Sequence, residues 1–311
     1  MLCTRCKRKE AVFFRRVSGE KLCKDCFIRS IEQTVFKSLR VYKLRRGEKL
    51  LLAVSGGKDS LALLHILSKI ERKYSSEVIA VTVYEGHPGD FRKKDIEYIK
   101  RLCSKLDVEY KVYSFKEFYG YDLRELWEKA LRKNLNLMPC TICGVLRRKL
   151  LNEVALKERA TRIVTGHNLD DEAQTLLMNV IRGDDTRLLR LGAEALGLIQ
   201  YEGFVPRIKP LRYIPEREVA LYCYFKKIPL PEDLCPYIQY SMRGRIREYL
   251  YKLEVQNPSV KYNIVKCFDR LSINMVVFLK DKKLKPCPKC GYPTSREICR
   301  ACEILEKLSE S

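Results

Sequence analysis

Apolar runs alternate with segments of helical period through the middle of the chain. Four apolar runs predict buried strands, at residues 50–55, 78–84, 110–115 and 162–166. The helical period recurs in five segments, near residues 59–73, 91–106, 120–135, 142–157 and 169–181, and residues 215–282 are predicted to be mainly helical. This alternation indicates an α/β fold, with a parallel sheet covered by helices on both faces. Its ligand sites are expected outside the carboxyl ends of the strands.

The first predicted strand runs into six residues that are suited to bind phosphate: Ser55-Gly56-Gly57-Lys58-Asp59-Ser60. The glycines allow a tight turn that brings backbone N–H groups close to an oxyanion, and the helix behind them offers its positive N-terminal end. Lys58 adds a positive charge, and the two serines add hydroxyl donors. The spacing differs from that of a Walker A loop, which disfavours kinase and GTPase functions. Gly166 and His167 end another predicted strand, where His167 is either a nucleotide contact or a structural residue.

Cysteine pairs of the form Cys-x-x-Cys lie near both ends of the chain. Two pairs at each end can bring four thiolates around one metal ion, at Cys3, Cys6, Cys23 and Cys26 and at Cys287, Cys290, Cys299 and Cys302. Four thiolates are typical ligands of structural zinc, and such short segments need a metal to fold. We therefore expect two Zn²⁺ ions, with iron in a rubredoxin-like site as the alternative.

A third cysteine pair, Cys140 and Cys143, has no second pair near it, and its third member is predicted to be Cys235. Pro139 and Pro236 flank these cysteines, which predicts turn or extended geometry outside regular elements and exposed thiols. Two interpretations stay open on this pattern: an iron–sulfur cluster held by three cysteines, or a catalytic pair that carries persulfide sulfur. Three further cysteines lie among apolar residues in helical patterns and are predicted to be core residues, namely Cys103, Cys223 and Cys267.

Composition and charge together predict a polyanionic binding partner. The 311 residues are 46% hydrophobic, and no apolar stretch approaches the roughly 20 residues that span a bilayer. Cysteines occupy the N-terminus where a signal peptide has its apolar core, so we expect a cytoplasmic protein whose fourteen cysteines are not disulfides. The formal charge of +22 favours RNA or DNA as a partner. Candidates for phosphate binding are Arg243, Arg245 and Arg247, and the basic segment 30–48 is either a solvated linker or an RNA-facing surface.

Four features together resemble the tRNA uridine 2-thiolation enzymes of the TtuA group. They are SGGKDS at 55–60, PCTICG at 139–144, GHNLDDEAQT at 166–175 and the terminal cysteine pairs. The group lies within the TtcA/TtuA family of PP-loop ATP pyrophosphatases, and the resemblance covers nearly the whole chain. It implies a Rossmann-like PP-loop domain with a parallel sheet, flanked by zinc ribbons. The implied divisions are a zinc finger at 1–29, a basic linker helix at 30–48, the catalytic domain at 49–240, a helical basic extension at 241–282 and a second zinc finger at 283–311.

The resemblance also implies which residues bind and react. ATP with Mg²⁺ is expected at Ala53, Ser55, Gly56, Gly57, Lys58, Asp59, Ser60, Val83, Gly166 and His167. A 4Fe-4S cluster is expected on Cys140, Cys143 and Cys235, and zinc on the two groups of four cysteines. The family's catalytic acid aligns with Asp171, whose neighbour is Asp170. Its basic position holds Arg147, where the family pattern leads us to expect lysine, with Lys149 close by.

The activity implied by the resemblance is ATP-dependent 2-thiolation of a tRNA uridine. ATP adenylates the C2 oxygen, and sulfur then replaces that oxygen as AMP departs. The T-loop uridine is the expected substrate and the anticodon wobble uridine is the alternative, while a non-catalytic zinc-ribbon RNA-binding protein is the alternative from another class. The expected partners are tRNA, a ubiquitin-like sulfur carrier and a second copy of the chain in a homodimer, with no membrane.

Overall fold

The N-terminal cysteine group leads directly into the main domain. The computed structural model describes residues 1–70, 75–90, 92–184, 188, 202–229, 235–275 and 284–309. Strands β1 (Phe13–Arg15) and β2 (Glu20–Leu22) pair antiparallel between the first two cysteine pairs. Helix α1 (Lys24–Val41) begins directly after Cys23 and buries Phe27, Ile31, Val35 and Leu39, one residue per turn. This single helix runs through residues 29 and 30, where the sequence predicts a domain boundary.

Five parallel strands form the central sheet in the order β5-β4-β3-β6-β7. They are β3 (Lys49–Ala53), β4 (Glu77–Tyr84), β5 (Glu109–Ser114), β6 (Arg162–Val164) and β7 (Arg207–Ile208). Most residues of β3 and β4 are buried, because helices cover both faces of a parallel sheet. The α/β fold and four of its strands are confirmed. Strand β7 escaped prediction, since two residues carry no periodic pattern.

Helices connect and cover these strands. They are α2 (Lys58–Leu67), α3 (Lys93–Leu106), α4 (Phe115–Tyr119), α5 (Leu123–Arg132), α6 (Pro139–Lys157), α7 (Leu169–Ile181) and α8 (Glu216–Lys226). The helix predicted near 120–135 is confirmed as α5, which starts after the capping box of Asp122, whereas the short α4, which starts after the capping box of Ser114, was not predicted. The helix predicted near 59–73 ends at Leu67, and its last positions, 71–73, lie outside the described residues.

The prediction of irregular chain is wrong at Cys140 and Cys143, although it holds at Cys235. Pro139 is the first residue of α6, where its missing N–H removes no helical hydrogen bond. Both cysteines of the pair therefore lie at the start of a helix. Cys143 is buried and Cys140 is exposed, so the prediction of exposed thiols holds for only one of them.

Two C-terminal helices, α9 (Arg243–Gln256) and α10 (Val260–Met275), pack against α7. Leu250 of α9 and Val265 of α10 are buried in this contact. Cys103 and Cys223 are buried as predicted, but Cys267 is exposed. It lies two positions after Val265, and residues two apart in a helix face different ways.

The second terminal cysteine group packs in a different apolar cluster from the first group. Strands β8 (Lys285–Pro286) and β9 (Pro293–Thr294) pair antiparallel, and α11 (Arg300–Ser309) follows. Ile304 and Leu308 of α11 are buried in the apolar cluster that also contains residues of α5 and α6. Within the described ranges, no helix has both the length and the apolar character needed to cross a membrane.

Candidate nucleotide and cysteine sites

The loop between β3 and α2 has a backbone that requires glycine. Its strand ends at Ala53, and its helix begins at Lys58 with Gly57 as the N-cap. Gly56 has a φ of +85°, and a Cβ added there would lie 2.8 Å from the side chain of Asp95. The strand, turn and helix expected for a phosphate-binding loop are therefore present, with the N-terminus of α2 directed at the loop.

Serine hydroxyls hold this loop in its turn. The Ser60 hydroxyl donates to the Gly57 carbonyl at 2.8 Å and accepts from the Ser55 N–H at 3.2 Å. The Gly57 N–H donates to the Ser55 hydroxyl at 3.4 Å, and Ser55 itself is exposed. The exposed hydroxyl and the free end of the helix can offer hydrogen bonds to an anion.

The charged residues of the loop already have protein partners. The Lys58 ammonium donates to Glu216 at 2.7 Å and to Asp59 at 3.1 Å. Asp59 also accepts from the Asn168 side chain at 3.0 Å, and burial raises the pKa of Asp59 above its ordinary value. An incoming phosphate would compete with these carboxylates for Lys58.

The end of β6 lies directly against the start of α2. A Cβ on Gly166 would lie 3.0 Å from the Ser60 amide nitrogen and 3.2 Å from the Asp59 carbonyl carbon. His167 contacts the Thr165 hydroxyl at 2.9 Å through Nδ1. His167 is exposed to solvent, yet desolvation by the neighbouring protein groups lowers its pKa, so the ring is neutral at neutral pH. The structure thus brings together the two strand ends that the sequence singled out.

The two adjacent acids of α7 have different surroundings. Asp170 is buried, accepts from the Glu216 N–H at 2.7 Å and pairs with Lys261. Asp171 is partly exposed and accepts from Arg243 at 3.0 Å. Asp170 is therefore fully engaged in contacts within the fold, whereas Asp171 is partly accessible to solvent.

Cys140, Cys143 and Cys235 lie in one part of the structure, since the charge of Cys235 acts on both of the others. Cys140 donates to the Tyr237 carbonyl at 3.5 Å, and Cys235 is partly buried next to the same apolar cluster as Cys143. Burial raises the pKa of Cys143 to about 12, while the positive charge of Arg147 opposes that shift. Desolvation also raises the pKa of Cys140, and the charge of Cys235 adds to the effect. The three thiols therefore share one electrostatic environment.

A buried carboxylate that sequence reasoning missed lies between the two sites. Glu85 follows the last residue of β4 and is 1% exposed. Its Oε1 accepts from Arg147 at 3.2 Å, and its Oε2 lies 3.2 Å from Nε of Arg92. Arg92 also donates to the carbonyl of Ser55 in the loop. The signal was available, because Glu85 directly follows a predicted strand and ligand sites lie at such ends.

Of the two basic residues that the sequence left open, Arg147 lies near the cysteines, and Arg92 also acts on Cys143. The charge of Cys143 is the largest cause that raises the pKa of Arg147, and Glu85 adds to it. Lys149 pairs instead with Glu153 and lies 5.9 Å from the ring centre of Tyr292, beside the C-terminal cysteine group. The sequence left both residues open, and their opposite orientation on α6 separates them.

Two family models match this chain. Residues 28–254 match the model described as the PP-loop domain, and residues 2–28 match the N-terminal LIM domain of the 2-thiouridine synthetase TtuA. The first match covers well over half of the chain. The chain belongs to the PP-loop family.

Similar proteins match this PP-loop protein over nearly its whole length. A probable sulfurtransferase of Methanocaldococcus jannaschii is 37% identical over 303 residues, which are 97% of this chain and 86% of the relative. Cytoplasmic tRNA 2-thiolation protein 1 of Xenopus laevis is 36% identical over 99% of this chain and 88% of its own. The solved U34-tRNA thiolase NcsA from Methanococcus maripaludis, with its 4Fe-4S cluster, superimposes with a TM-score of 0.85 at 33% identity. That match covers 100% of this chain and 97% of the thiolase.

The terminal cysteines of this PP-loop protein form two compact groups of four. Within each group all sulfurs lie within 4.8 Å of one another. The Cys6 and Cys23 sulfurs are 3.8 Å apart, and those of Cys290 and Cys299 are 3.6 Å apart. A tetrahedral zinc ion with bonds of about 2.3 Å places sulfurs about 3.8 Å apart. Both groups therefore fit a tetrahedral metal ion.

The three arginines predicted to bind phosphate have different surroundings. Arg243 is held by α7, where it donates to Asp171, Gln174 and Thr175. Arg245 and Arg247 are exposed on α9. Two of the three predicted arginines are therefore open to solvent, on different sides of α9, and Arg247 also lies 4.0 Å from Glu216, the partner of Lys58.

Proposed function

We propose that this PP-loop protein is an ATP-dependent tRNA sulfurtransferase that forms 2-thiouridine at uridine 34, the wobble position of the anticodon. One observation carries the proposal: a phosphate-binding loop and a three-cysteine site lie at neighbouring strand ends and are joined through Glu85. The tRNA 2-thiolation protein and the thiolase named above support the reaction class. A function limited to RNA binding leaves both sites without a role.

The choice of uridine rests on the relatives. The thiolase that matches the whole chain is named for uridine 34, which supports the wobble position. The T-loop uridine predicted from the sequence is the second candidate, favoured by the match of residues 2–28 to a TtuA domain. A uridine in either place must be turned out of the folded tRNA to reach a protein pocket.

The nucleotide contacts proposed are those predicted from the sequence, Ala53, Ser55 to Ser60, Val83, Gly166 and His167. In the proposed complex, Lys58 exchanges its contact with Glu216 for a phosphate oxygen. The carboxylates of Asp59 and Asp171 are close enough for the charge of Asp171 to raise the pKa of Asp59. Two such carboxylates next to a phosphate loop suit Mg²⁺, which prefers oxygen ligands and phosphates.

In the proposed reaction, the uridine C2 oxygen attacks the α-phosphorus of ATP, and the bond to the β-phosphate breaks with release of pyrophosphate. A sulfur nucleophile then bonds to C2, and the C2–oxygen bond breaks as AMP leaves. The loop N–H groups hold the phosphates in line, which supplies positioning and charge stabilisation. Asp171 and the neutral His167 lie beside this loop.

An iron–sulfur cluster is the proposed group of the three-cysteine site, and the thiolase named with its 4Fe-4S cluster supports it. Among the described residues, Cys140, Cys143 and Cys235 are not one of the compact groups whose ligand atoms all lie within 4.8 Å. When bound, a 4Fe-4S cluster on three thiolates supplies one iron with an open position for sulfur. Arg147 contributes a permanent positive charge that favours the thiolate form of Cys143. Because arginine keeps its proton, its proposed role is electrostatic.

Zinc is the proposed ion of both terminal groups, where it would hold short segments in place. The exposed Arg245 and Arg247 are proposed to contact tRNA phosphates. The ubiquitin-like sulfur carrier and the homodimer stay predictions.

The decisive experiment follows both halves of the reaction on purified tRNA. Wild-type protein with ATP and a sulfur source is expected to release AMP and pyrophosphate and to form 2-thiouridine, whose position is read by mass spectrometry of tRNA fragments. Sulfur at the T-loop would replace the wobble assignment by the second candidate. ATP that is bound but never cleaved would contradict the enzyme proposal.

Two substitutions in helix α6 allow a matched comparison of their effects on thiolation. Arg147→Met is expected to lower thiolation at least about tenfold, since a positioned charge is removed. Lys149→Met is expected to retain thiolation, because Lys149 faces the C-terminal cysteine group. Equal losses in both variants would contradict the assignment of Arg147.

Metal analysis tests the two kinds of cysteine site together. Anaerobically purified protein is expected to contain about four iron and two zinc per chain, as one cubane cluster and two structural sites require. The triple alanine variant of Cys140, Cys143 and Cys235 is expected to lose the iron and keep the zinc. Two zinc and no iron after reconstitution would favour a persulfide mechanism instead.

A further inference from the structure

Three aromatic side chains form a cluster beside the three-cysteine site. Tyr237 precedes the short helical turn Ile238–Tyr240, and its ring centre lies 6.3 Å from that of Tyr240. The ring of Trp127, on α5, lies 5.6 Å from that of Tyr240 at an interplanar angle of 59°. Tyr237 is buried, Trp127 is half-buried and Tyr240 is 43% exposed. This aromatic cluster of Trp127, Tyr237 and Tyr240 therefore has an outer ring that is open to solvent.

Hydrogen bonds join the aromatic cluster to the cysteine site. The Cys140 thiol donates to the Tyr237 carbonyl at 3.5 Å, and the Ile238 N–H donates to the Cys235 carbonyl at 3.0 Å. The Tyr240 N–H donates to the Tyr237 carbonyl at 3.1 Å. The turn that follows Cys235 thus holds Tyr240 next to the three cysteines. No step of the proposed reaction uses these rings.

We propose that Trp127 and Tyr240 stack a base of the substrate tRNA, next to the uridine that is turned out for reaction, an inference that rests on the proposed function. A uridine that leaves its loop deprives the neighbouring bases of a stacking partner. An aromatic side chain can replace that partner, because its face stacks on any base. Tyr240 offers an exposed ring beside the site that the uridine must reach.

Charge favours a nucleic acid over a protein segment as the occupant of this surface. The formal charge of +22 attracts phosphates to the chain. Arg124 lies one turn before Trp127 on the same face of α5, its side chain is exposed, and its ion pair with Glu128 is as long as 4.0 Å. Arg124 is therefore available to a phosphate that flanks the stacked base.

The test measures the affinity of full-length protein for tRNA, from the fluorescence anisotropy of a label on the RNA. Tyr240→Leu removes the ring and keeps an apolar side chain. It is expected to weaken tRNA binding at least about fivefold, the lower end for the loss of one base–aromatic stack. Tyr240→Phe keeps the ring and should restore most of this affinity, because stacking does not need the hydroxyl.

Tyr224→Leu is the matched control. Tyr224 is 72% exposed on α8, and its ring contacts Phe225 rather than the aromatic cluster. The control makes the same chemical change on another surface, so its affinity for tRNA should equal that of wild type. Equal affinities of Tyr240→Leu and Tyr224→Leu for tRNA would overturn the inference.

Trp127 supplies a direct readout, because it is the single tryptophan of the chain. A base stacked at the aromatic cluster changes the surroundings of this indole, so tRNA should change the tryptophan emission of wild type. A blunt RNA duplex offers phosphates without an unpaired base, and it should bind without that change. No change with tRNA, or the same change with both RNAs, would contradict the stacking.

Two further measurements separate stacking from a structural role and from the proposed reaction. The affinity of Tyr240→Leu for α,β-methylene-ATP should equal that of wild type, and a parallel loss would assign Tyr240 a structural role instead. Thiolation of tRNA by wild type is a separate assay. If thiolation succeeds while Tyr240→Leu binds tRNA as tightly as Tyr224→Leu, the inference fails and the proposed function stands. If tRNA binding depends on the Tyr240 ring but no 2-thiouridine forms, the proposed reaction fails and the stacking stands.

Discussion

Replacing Gly166 with alanine would place a methyl group against the backbone of the nucleotide loop. The added Cβ would lie 3.0 Å from the Ser60 nitrogen and 3.2 Å from the Asp59 carbonyl carbon. Comfortable contacts of carbon are about 3.5–4.0 Å, so the end of β6 and the start of α2 must separate by about 0.5 Å. Neither neighbour can turn aside, because both atoms belong to the backbone. Overpacking of this kind costs about 1–3 kcal/mol.

The displaced atoms include the N–H groups that are proposed to bind phosphate, so binding should suffer together with stability. We expect Gly166→Ala to weaken the binding of α,β-methylene-ATP at least about tenfold, which corresponds to about 1.4 kcal/mol. Equilibrium dialysis measures this affinity, and urea unfolding measures the stability.

Gly244→Ala is the matched control for this substitution. Gly244 lies in α9, and a Cβ added there meets no atom within 4 Å. Alanine is the better helix residue, so the control should be as stable as wild type or up to about 1 kcal/mol more stable. Wild-type affinity and stability in Gly166→Ala would refute the steric argument, as would an equal loss in the control.

Three further predictions separate structural from chemical residues. Cys140→Ala should abolish thiolation of tRNA, while its midpoint of urea unfolding stays near that of wild type. Cys3→Ala should mainly lower that midpoint. Retained thiolation in Cys140→Ala would contradict the cluster proposal. Asp170→Asn should lower the free energy of unfolding by about 3 kcal/mol, because it breaks the buried ion pair with Lys261. Asp171→Asn should mainly lower thiolation. The reverse pattern would exchange the roles of the two acids. Burial alone would raise the pKa of Glu172, but attraction to neighbouring cations outweighs it and lowers this pKa from 4.5 to about 2. Its stabilisation is therefore complete above pH 4.5 and lost as the pH falls toward 2, so acid unfolding curves of Glu172→Gln should show a smaller loss over that range.

The features that the sequence predicted correctly depend on a few consecutive residues. The loop after β3 needs glycine at a positive φ, and that requirement is local. The two terminal cysteine groups likewise follow from the spacing of each pair, because a Cys-x-x-Cys turn directs two sulfurs to one side. The alternation of strands and helices follows from periodicity, which identified four of the five strands of the central sheet and missed the two-residue β7.

Other features depend on which way each helix faces, and the sequence alone left them open. Arg147 and Lys149 differ by two positions, about 200° around α6, so packing directs one to the cysteine site and the other to the C-terminal group. Asp170 is turned into the contact with α10, where it meets Lys261, whereas its neighbour Asp171 remains accessible.

Glu85 shows the same division most clearly. The sequence by itself showed that Glu85 follows one predicted strand, that the phosphate loop follows another, and that Cys140 and Cys143 come later in the chain. Only the tertiary structure decided that Glu85 lies between them, because sheet order sets β4 beside β3 and the packing of α6 brings Arg147 to the same place. Contacts between residues far apart in the chain depend on this assembly, and no local pattern records them.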